Sequence, residues 1–460
     1  MAMTTVLNPC DFGARGDGQH LDTAAVQSAL DAAAAHRGTV RLGPGCWLCG
    51  ALFVRSGTRL EVAAGATLRG SRELAHYPLI DTRVAGIEMR WPAALVNLID
   101  TEDAAVCGAG CIDGDGTAFW AHYWQTRAAY EPRGLRWASD YDAQRPRLLL
   151  VQRSRRIFIG GGLLLRRSGF WTVHLCYSEQ VRVDRLSIRN NEDGRGPSTD
   201  GIDIDSCQRV LVRRADIAVN DDAIAFKAGR DADGLRVARP TRDVLVADCT
   251  VRDGATGVAF GSETSGGFER VRVRRLRVQH PVPVGVLLKS ARTRGGWARD
   301  LRLRDLRMDG VGVVLRITLD WNPAYSRAVL PSAEAAHAPL HWRVLAAPVP
   351  PHQGLMQVQG VRIQGLHARG AQVAFEVDAD ADAPLRDVHI DHADIEAAQG
   401  GHLLDVWGWR FTHSRLALGS PVVLHRADAV QGLPAALWRE DPQHPRRDVS
   451  ILPMQHQDVQ

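Results

Sequence analysis

Three carboxylates in the stretch Pro197–Gly229 have the types and spacing for chemistry. Asp200 stands 21 residues before Asp221, which is followed directly by Asp222. That separation is about one turn of a parallel β-solenoid, whose repeats run roughly 20–30 residues. Stacked turns would gather the three into one patch. Crowding then raises the pKa of one carboxyl while its neighbour stays ionised, which suits acid/base work at a glycosidic bond. A single Asp at a strand end would mark only a turn. Because adjacent strand residues point to opposite faces, Asp221 and Asp222 can share a cleft only if the backbone bulges or turns there. In STDGIDIDS, taking Ile202 and Ile204 inward puts Asp203 and Asp205 outward. Asp203 is therefore expected on a solvated face, with a place beside the cleft as the alternative.

The elements that must position these residues are strands. Apolar–x–apolar units recur, with first apolar residues at 157, 181, 210, 244, 271 and 301, each followed by a bend and a second such unit. A recurrence of this length with period-2 patterning indicates a β-solenoid. A propeller would need four strands per repeat, and these segments offer two or three. One convincing helix, Asp22 to His36, has Asp22 or Thr23 as its cap, Val26, Leu30 and Ala33 or Ala34 as its apolar stripe, and Gly38 as its stop. It would cover the open end of the first coil. Residues 115–147, rich in aromatics, and 321–353, rich in Ala and Pro, break the β pattern and read as long ordered loops beside a functional face. The aromatic rings of 115–147 suit packing on sugar C–H faces, or else only pin the loop.

The expectation is thus an all-β, single-domain solenoid over residues 1–460, with a cap at 1–37 and excursions at 115–147 and 321–353. The net charge of +4 is small for 460 residues and argues against a nucleic-acid-binding protein, for which a focused basic stripe would be expected. Arg-rich runs such as VRVRRLRV (271–278) read as outward faces of strands. No apolar run reaches the roughly 18–20 residues of a membrane span. The first residues lack a basic segment followed by an apolar core, so a cytoplasmic location is expected unless a leader has been removed. Cys46–x2–Cys49 and Cys107–x3–Cys111 resemble zinc half-sites but lie in β-patterned sequence, where reduced core thiols are expected.

With these motifs in order, the chain resembles glycoside hydrolase family 28, the polygalacturonases and their relatives, which have the pectin-lyase-like fold. DFGARGDGQHLDTAAVQSALDAA looks like the N-terminal cap, residues 38–71 like the first coils, and GAGCIDGDGTAFW (108–120) like the coil that follows. The resemblance covers about residues 10–310 and implies a right-handed parallel β-helix. The family's Asn-Thr-Asp appears as Ser198-Thr199-Asp200 and its Asp-Asp pair as Asp221-Asp222. Its Gly-His-Gly falls at Ala255-Thr256-Gly257, and its Arg-Ile-Lys at Leu287-Leu288-Lys289. The histidine is thus replaced by Thr256, and the arginine is lost while the lysine remains.

The resemblance implies inverting hydrolysis of galacturonosyl linkages in pectic chains, most consistent with exo action, with no metal or other cofactor. Asp221 would be the general acid, and Asp200 with Asp222 the base that activates water. An inverting acid and base stand about 6.5–9.5 Å apart. Lys289 would hold a substrate carboxylate, with Arg292 and Arg294 as replacements for the lost arginine. Lys227 would bind substrate or lower a neighbouring pKa. Thr256 could hydrogen-bond an Asp without supplying a histidine's charge. A rhamnogalacturonan-type oligosaccharide is the alternative substrate. A polysaccharide lyase and a non-catalytic glycan-binding β-helix are the alternative functions. Oligomeric state is left open.

Overall fold

The computed structural model describes residues 5–332 and 334–443, so the ends of the expected 1–460 span lie outside the described residues. Thirty-two strands form one continuous sheet in which every pairing is parallel, wound as a right-handed parallel β-helix. Each coil stacks on the next in register. Val173–Cys176 pairs with Ile202–Asp205, which pairs with Ile224–Lys227, and that strand lies beside Thr256–Phe260. Period-2 alternation sends Leu175, Ile204, Phe226, Phe260 and Leu288 into the core, where the Phe226 and Phe260 rings stack at 4.7 Å. Among the described residues no helix is long and apolar enough to cross a membrane.

The first coil is closed by the helix Thr23–Ala34, which buries Val26, Ala29, Leu30 and Ala33. Its capping departs from expectation. Asp22 precedes the helix but makes no side-chain cap; its carboxylate accepts the backbone N–H groups of Arg15 and Gly16 at 2.8 and 2.9 Å. The Thr23 hydroxyl accepts from Gly50 N at 2.8 Å, stitching the helix to a strand end.

The two excursions are not loops throughout. Thr117–Tyr130 is a 14-residue helix, followed by the short helix Ser139–Asp142. Its aromatics explain this: Phe119, Trp120 and Tyr123 fall on one helical face and are buried. Residues 321–353 carry three short helices, Pro323–Ser326, Leu340–Leu345 and Pro351–Gly354. Both excursions pack with the antiparallel hairpin Leu79–Val84 and Ile87–Pro92 in a second hydrophobic core that includes Trp91, Trp137, Tyr141, Trp171 and Trp342. This core stands beside the main helix and walls one side of a pocket.

Candidate active site

Asp200, Asp221 and Asp222 line the same pocket. The backbone brings them there: Gly201 N donates to Asp222 O at 2.9 Å, and Asp222 in turn bridges to Thr256. Gly201 has no Cβ because one would lie 2.4 Å from Ala223 O, so the coils approach closely at this point. Between the strands Gln208–Ala218 and Ile224–Lys227 the chain bends, and strict alternation is broken at 219–223. Both neighbouring carboxylates therefore face the pocket, and Asp222 N donates to Asp221 Oδ1 at 2.9 Å. One oxygen from each of the three aspartates lies within 4.8 Å of the others. This is tighter than the expected 6.5–9.5 Å spacing.

The three carboxyls hold protons differently. Burial first, then repulsion from Asp222, pushes Asp221 up to about 6. Asp221 is also the most accessible of the three, half-buried where Asp200 and Asp222 are buried. Burial raises Asp222 too, but the ammonium groups of Lys289 and Lys227 outweigh it and hold Asp222 below the usual carboxylate range. Lys289 Nζ donates to Asp222 Oδ2 and the Thr256 hydroxyl to Asp222 Oδ1, both at 2.7 Å. Asp200 is pushed well above its ordinary value by burial and then by Asp203 and Asp221.

Asp203 is not on a solvated face. Hairpin and excursions cover that side of the sheet, and Asp203 is fully buried, with Lys227 Nζ 3.5 Å from its Oδ1. Burial pushes its carboxyl up to about 8. Lys227 also stands 3.5 Å from Asp200 Oδ2 and from Glu263 Oε2, so one ammonium group is shared by three acids. These carboxylates raise its pKa although burial opposes them. Lys227 and Lys289 sit over the rings of Trp171 and Trp321 at 4.5 and 4.6 Å. The two ammonium groups place positive charge where a cation held by the three aspartates would sit.

Of the other cations expected to grip substrate, neither arginine reaches the pocket. Arg292 pairs with Asp380 at the surface. Arg294 is fully buried, bound to Asp231 and, at 3.0 Å, to Ser262 O. Each has its charge already matched, so neither replaces the lost arginine. Leu287, at the position of that arginine, is buried in a small apolar cluster.

The sequence from 73 to 327, more than half of the chain, matches the pattern described as glycosyl hydrolases family 28. The chain belongs to this family. It is 27% identical to a probable polygalacturonase of Vitis vinifera, over 84% of this chain and 74% of that protein. It is 26% identical to an exo-poly-alpha-D-galacturonosidase of Dickeya chrysanthemi, over 70% of this chain and 60% of that protein. A solved exopolygalacturonase from Thermotoga maritima shares the fold with a TM-score of 0.70 at 24% identity, over 91% of each chain. A family 28 exopolygalacturonase from Yersinia enterocolitica does so with a TM-score of 0.74 at 20% identity, over 95% of this chain and 77% of that one.

The protein is therefore a glycoside hydrolase, and the rest of its family 28 pocket comes from residues that the sequence pattern does not single out. Arg136 and Asp140 reach in from the first excursion, Trp321 and Tyr325 from the second, Ala85 from the hairpin tip, and Trp171 and Glu263 from the coils. Arg230, fully buried, ties the wall together. Its backbone N donates to Gly86 O at 2.9 Å, and its guanidinium donates to the Tyr141 hydroxyl and to Tyr325 O, both at 2.9 Å. At Gly86 (φ +93) a Cβ would stand 2.3 Å from that of Arg230, so only glycine lets the hairpin tip close this tightly. The breaks in the β pattern at 115–147, with its aromatics, and at 321–353 are the sequence signals that point toward this wall.

Proposed function

We propose that the protein is an exo-acting polygalacturonase-like hydrolase that removes terminal galacturonosyl units from pectic chains with inversion. Asp221 donates the proton to the glycosidic oxygen, and its raised pKa keeps that proton available in mildly acidic solution. Asp222, kept ionised by Lys289, accepts a proton from the attacking water. Asp200, pushed upward by burial and by its acidic neighbours, stands beside Asp222 and shares with it the positioning of that water. Positioned acid/base catalysis of this kind contributes about 10²–10⁴-fold in rate. The observation that carries the reading is the pairing of opposite proton affinities on two chain neighbours in one walled pocket.

Exo action is supported by the wall. The hairpin tip and both excursions meet at Arg230 and enclose the pocket on one side, which suits a chain end better than a chain passing through. The names of the Dickeya relative and of the two solved structures agree with it. Arg136 is the guanidinium that lines the pocket, but Asp140 engages it at 2.7 Å, so its charge is already matched, like those of Arg292 and Arg294, and it does not replace the missing arginine. Inversion rests on membership of the family; the oxygen spacing within 4.8 Å does not argue for it, so water must enter beside Asp222 rather than midway between the aspartates.

The test is product analysis of the parent and Asp221→Asn proteins with galacturonan and rhamnogalacturonan oligosaccharides. Mass spectrometry should find saturated galacturonan products shortened by one unit, from the parent alone. Proton NMR of the first-formed product should show the anomer opposite to that of the substrate. An unsaturated product would establish a lyase, turnover of rhamnogalacturonan alone would move the substrate class, and retention would remove the water-activating role of Asp222.

A further inference from the structure

Outside the pocket, exposed arginines stack on neighbouring coils. Phe268–Arg274 and Arg277–Gln279 belong to one coil, and Trp297–Asp309 to the next. Their register stacks Arg272 on Arg302, Arg274 on Arg304 and Arg277 on Arg307. All six side chains are exposed, in two rows of three about 4.8 Å apart. They line two adjoining surface grooves that share Arg275 and Asp305. The first column continues to Arg362 on the following coil.

Like charges placed directly opposite one another on a sheet are destabilising. Elsewhere this protein neutralises its outward arginines with an acid on a neighbouring coil. Arg213 and Arg214 close on Asp184, Arg252 on Asp216, Arg270 on Asp243 and Arg275 on Asp248. On the cationic array this compensation is only partial. Arg302 bonds Asp300 at 2.6 Å, Arg304 stands 3.5 Å from Asp305 and Arg362 pairs with Asp387, whereas Arg272, Arg274, Arg277 and Arg307 make no ion pair among the described residues.

We propose that this array is an accessory binding site for a linear polyuronate, which rests on the reading of the protein as a galacturonan hydrolase. Such a chain carries one carboxylate per sugar, and guanidinium groups bind carboxylates in bidentate fashion. The unpaired guanidinium groups of Arg272, Arg274, Arg277 and Arg307 complement the carboxylates that repeat along such a polymer. The affinity is ionic and therefore falls as salt rises.

The test uses Asp221→Asn protein, with and without four further changes, Arg272→Gln, Arg274→Gln, Arg277→Gln and Arg307→Gln. Binding to long demethylated polygalacturonate is measured by affinity electrophoresis and calorimetry at low and high salt. The site predicts at least tenfold weaker polymer binding in the Gln variant, a difference that disappears at high salt, and partial recovery with Arg→Lys at the same four positions, which restores the charge but not the bidentate contact. Recovery in the Lys variant separates lost charge from lost folding. Equal polymer binding with and without the four Gln changes overturns the site, and so does a parent that binds double-stranded DNA but not polygalacturonate. Trigalacturonate turnover by the quadruple Gln variant with Asp221 intact reads the pocket alone. Failure of that turnover in the parent, together with polymer binding lost in the Gln variant, rejects the catalytic reading and leaves the array supported.

Discussion

Asp221 and Asp222 are chain neighbours that keep opposite protonation states, and the difference comes chiefly from Lys289 with Lys227 behind it. Lys289 contacts Asp222 at 2.7 Å, so Asp222 is the anion and Asp221 feels its repulsion. Activity should therefore fall at acid pH as Asp222 takes a proton, and at alkaline pH as Asp221 loses one near its value of about 6. Lys289→Met should raise the Asp222 pKa and so lift the acid limb of the kcat profile. It should also lower kcat by about 10²-fold, comparable to losing one preorganised electrostatic group. An unmoved acid limb in stopped-assay pH profiles would show that Asp222 is not the group titrating there. Asp203 offers a stability counterpart. Its folded pKa, about 8, lies above the unfolded carboxylate value near 3.9. The folded protein thus binds the extra proton between these values, and stability contributed by this group is lost as pH rises from about 4 through 8. Asp203→Asn should raise stability by up to about 4 kcal/mol at pH 7 and leave it nearly unchanged at pH 4, a contrast that thermal melts at the two pH values would register.

Three elements distant in sequence make the wall, and Arg230 is where they meet. Arg230→Ala removes its contacts to Tyr141 and Tyr325 and leaves Asp231 with Arg294 as its one cation and the Thr293 hydroxyl as a further donor. About 3 kcal/mol or more of stability should be lost, together with a severalfold rise in KM for oligosaccharides. An unchanged KM would separate the wall from substrate binding. The elements also mark how far the sequence can be read. The coils are legible because the period-2 runs from Ile157 to Leu301 each bury alternate residues, a local signal. The aspartates are legible because one coil of spacing carries Asp200 to the bend at Asp221. The helix at Thr117–Tyr130 is harder to read, since Phe119, Trp120 and Tyr123 are consistent with either a helix or a pinned loop until the second core is seen. Arg230, Arg136 and Glu263 carry no local pattern at all. Their roles depend on loops that converge only after winding. Asp203 misleads for the same reason, because a hairpin more than a hundred residues upstream covers a face that alternation marks as outward.

The whole molecule is a column of stacked coils whose core runs from the N-terminal helix to Trp409 and Leu424. In such a column each coil buries its neighbours, so a defect in the middle is felt on both sides. Phe226 stacks on Phe260 beneath the catalytic strand, and Phe226→Ala should cost about 3–5 kcal/mol. Denaturant titration of this variant should show the midpoint falling far more than for a truncation at Trp407, which is 46% exposed. Equal losses at the two positions would mean that the column does not concentrate stability in its interior.

On the exo-acting reading proposed above, the wall at Gly86 and Arg230 also decides what the protein counts. A pocket that takes chain ends engages polymer termini, so the concentration that governs its rate is that of molecules, whatever their mass. Longer chains at equal weight then present fewer productive partners, and any cut made elsewhere along a chain creates a new one. Working beside a depolymerase that cleaves internally, this hydrolase would accelerate as its substrate shortens.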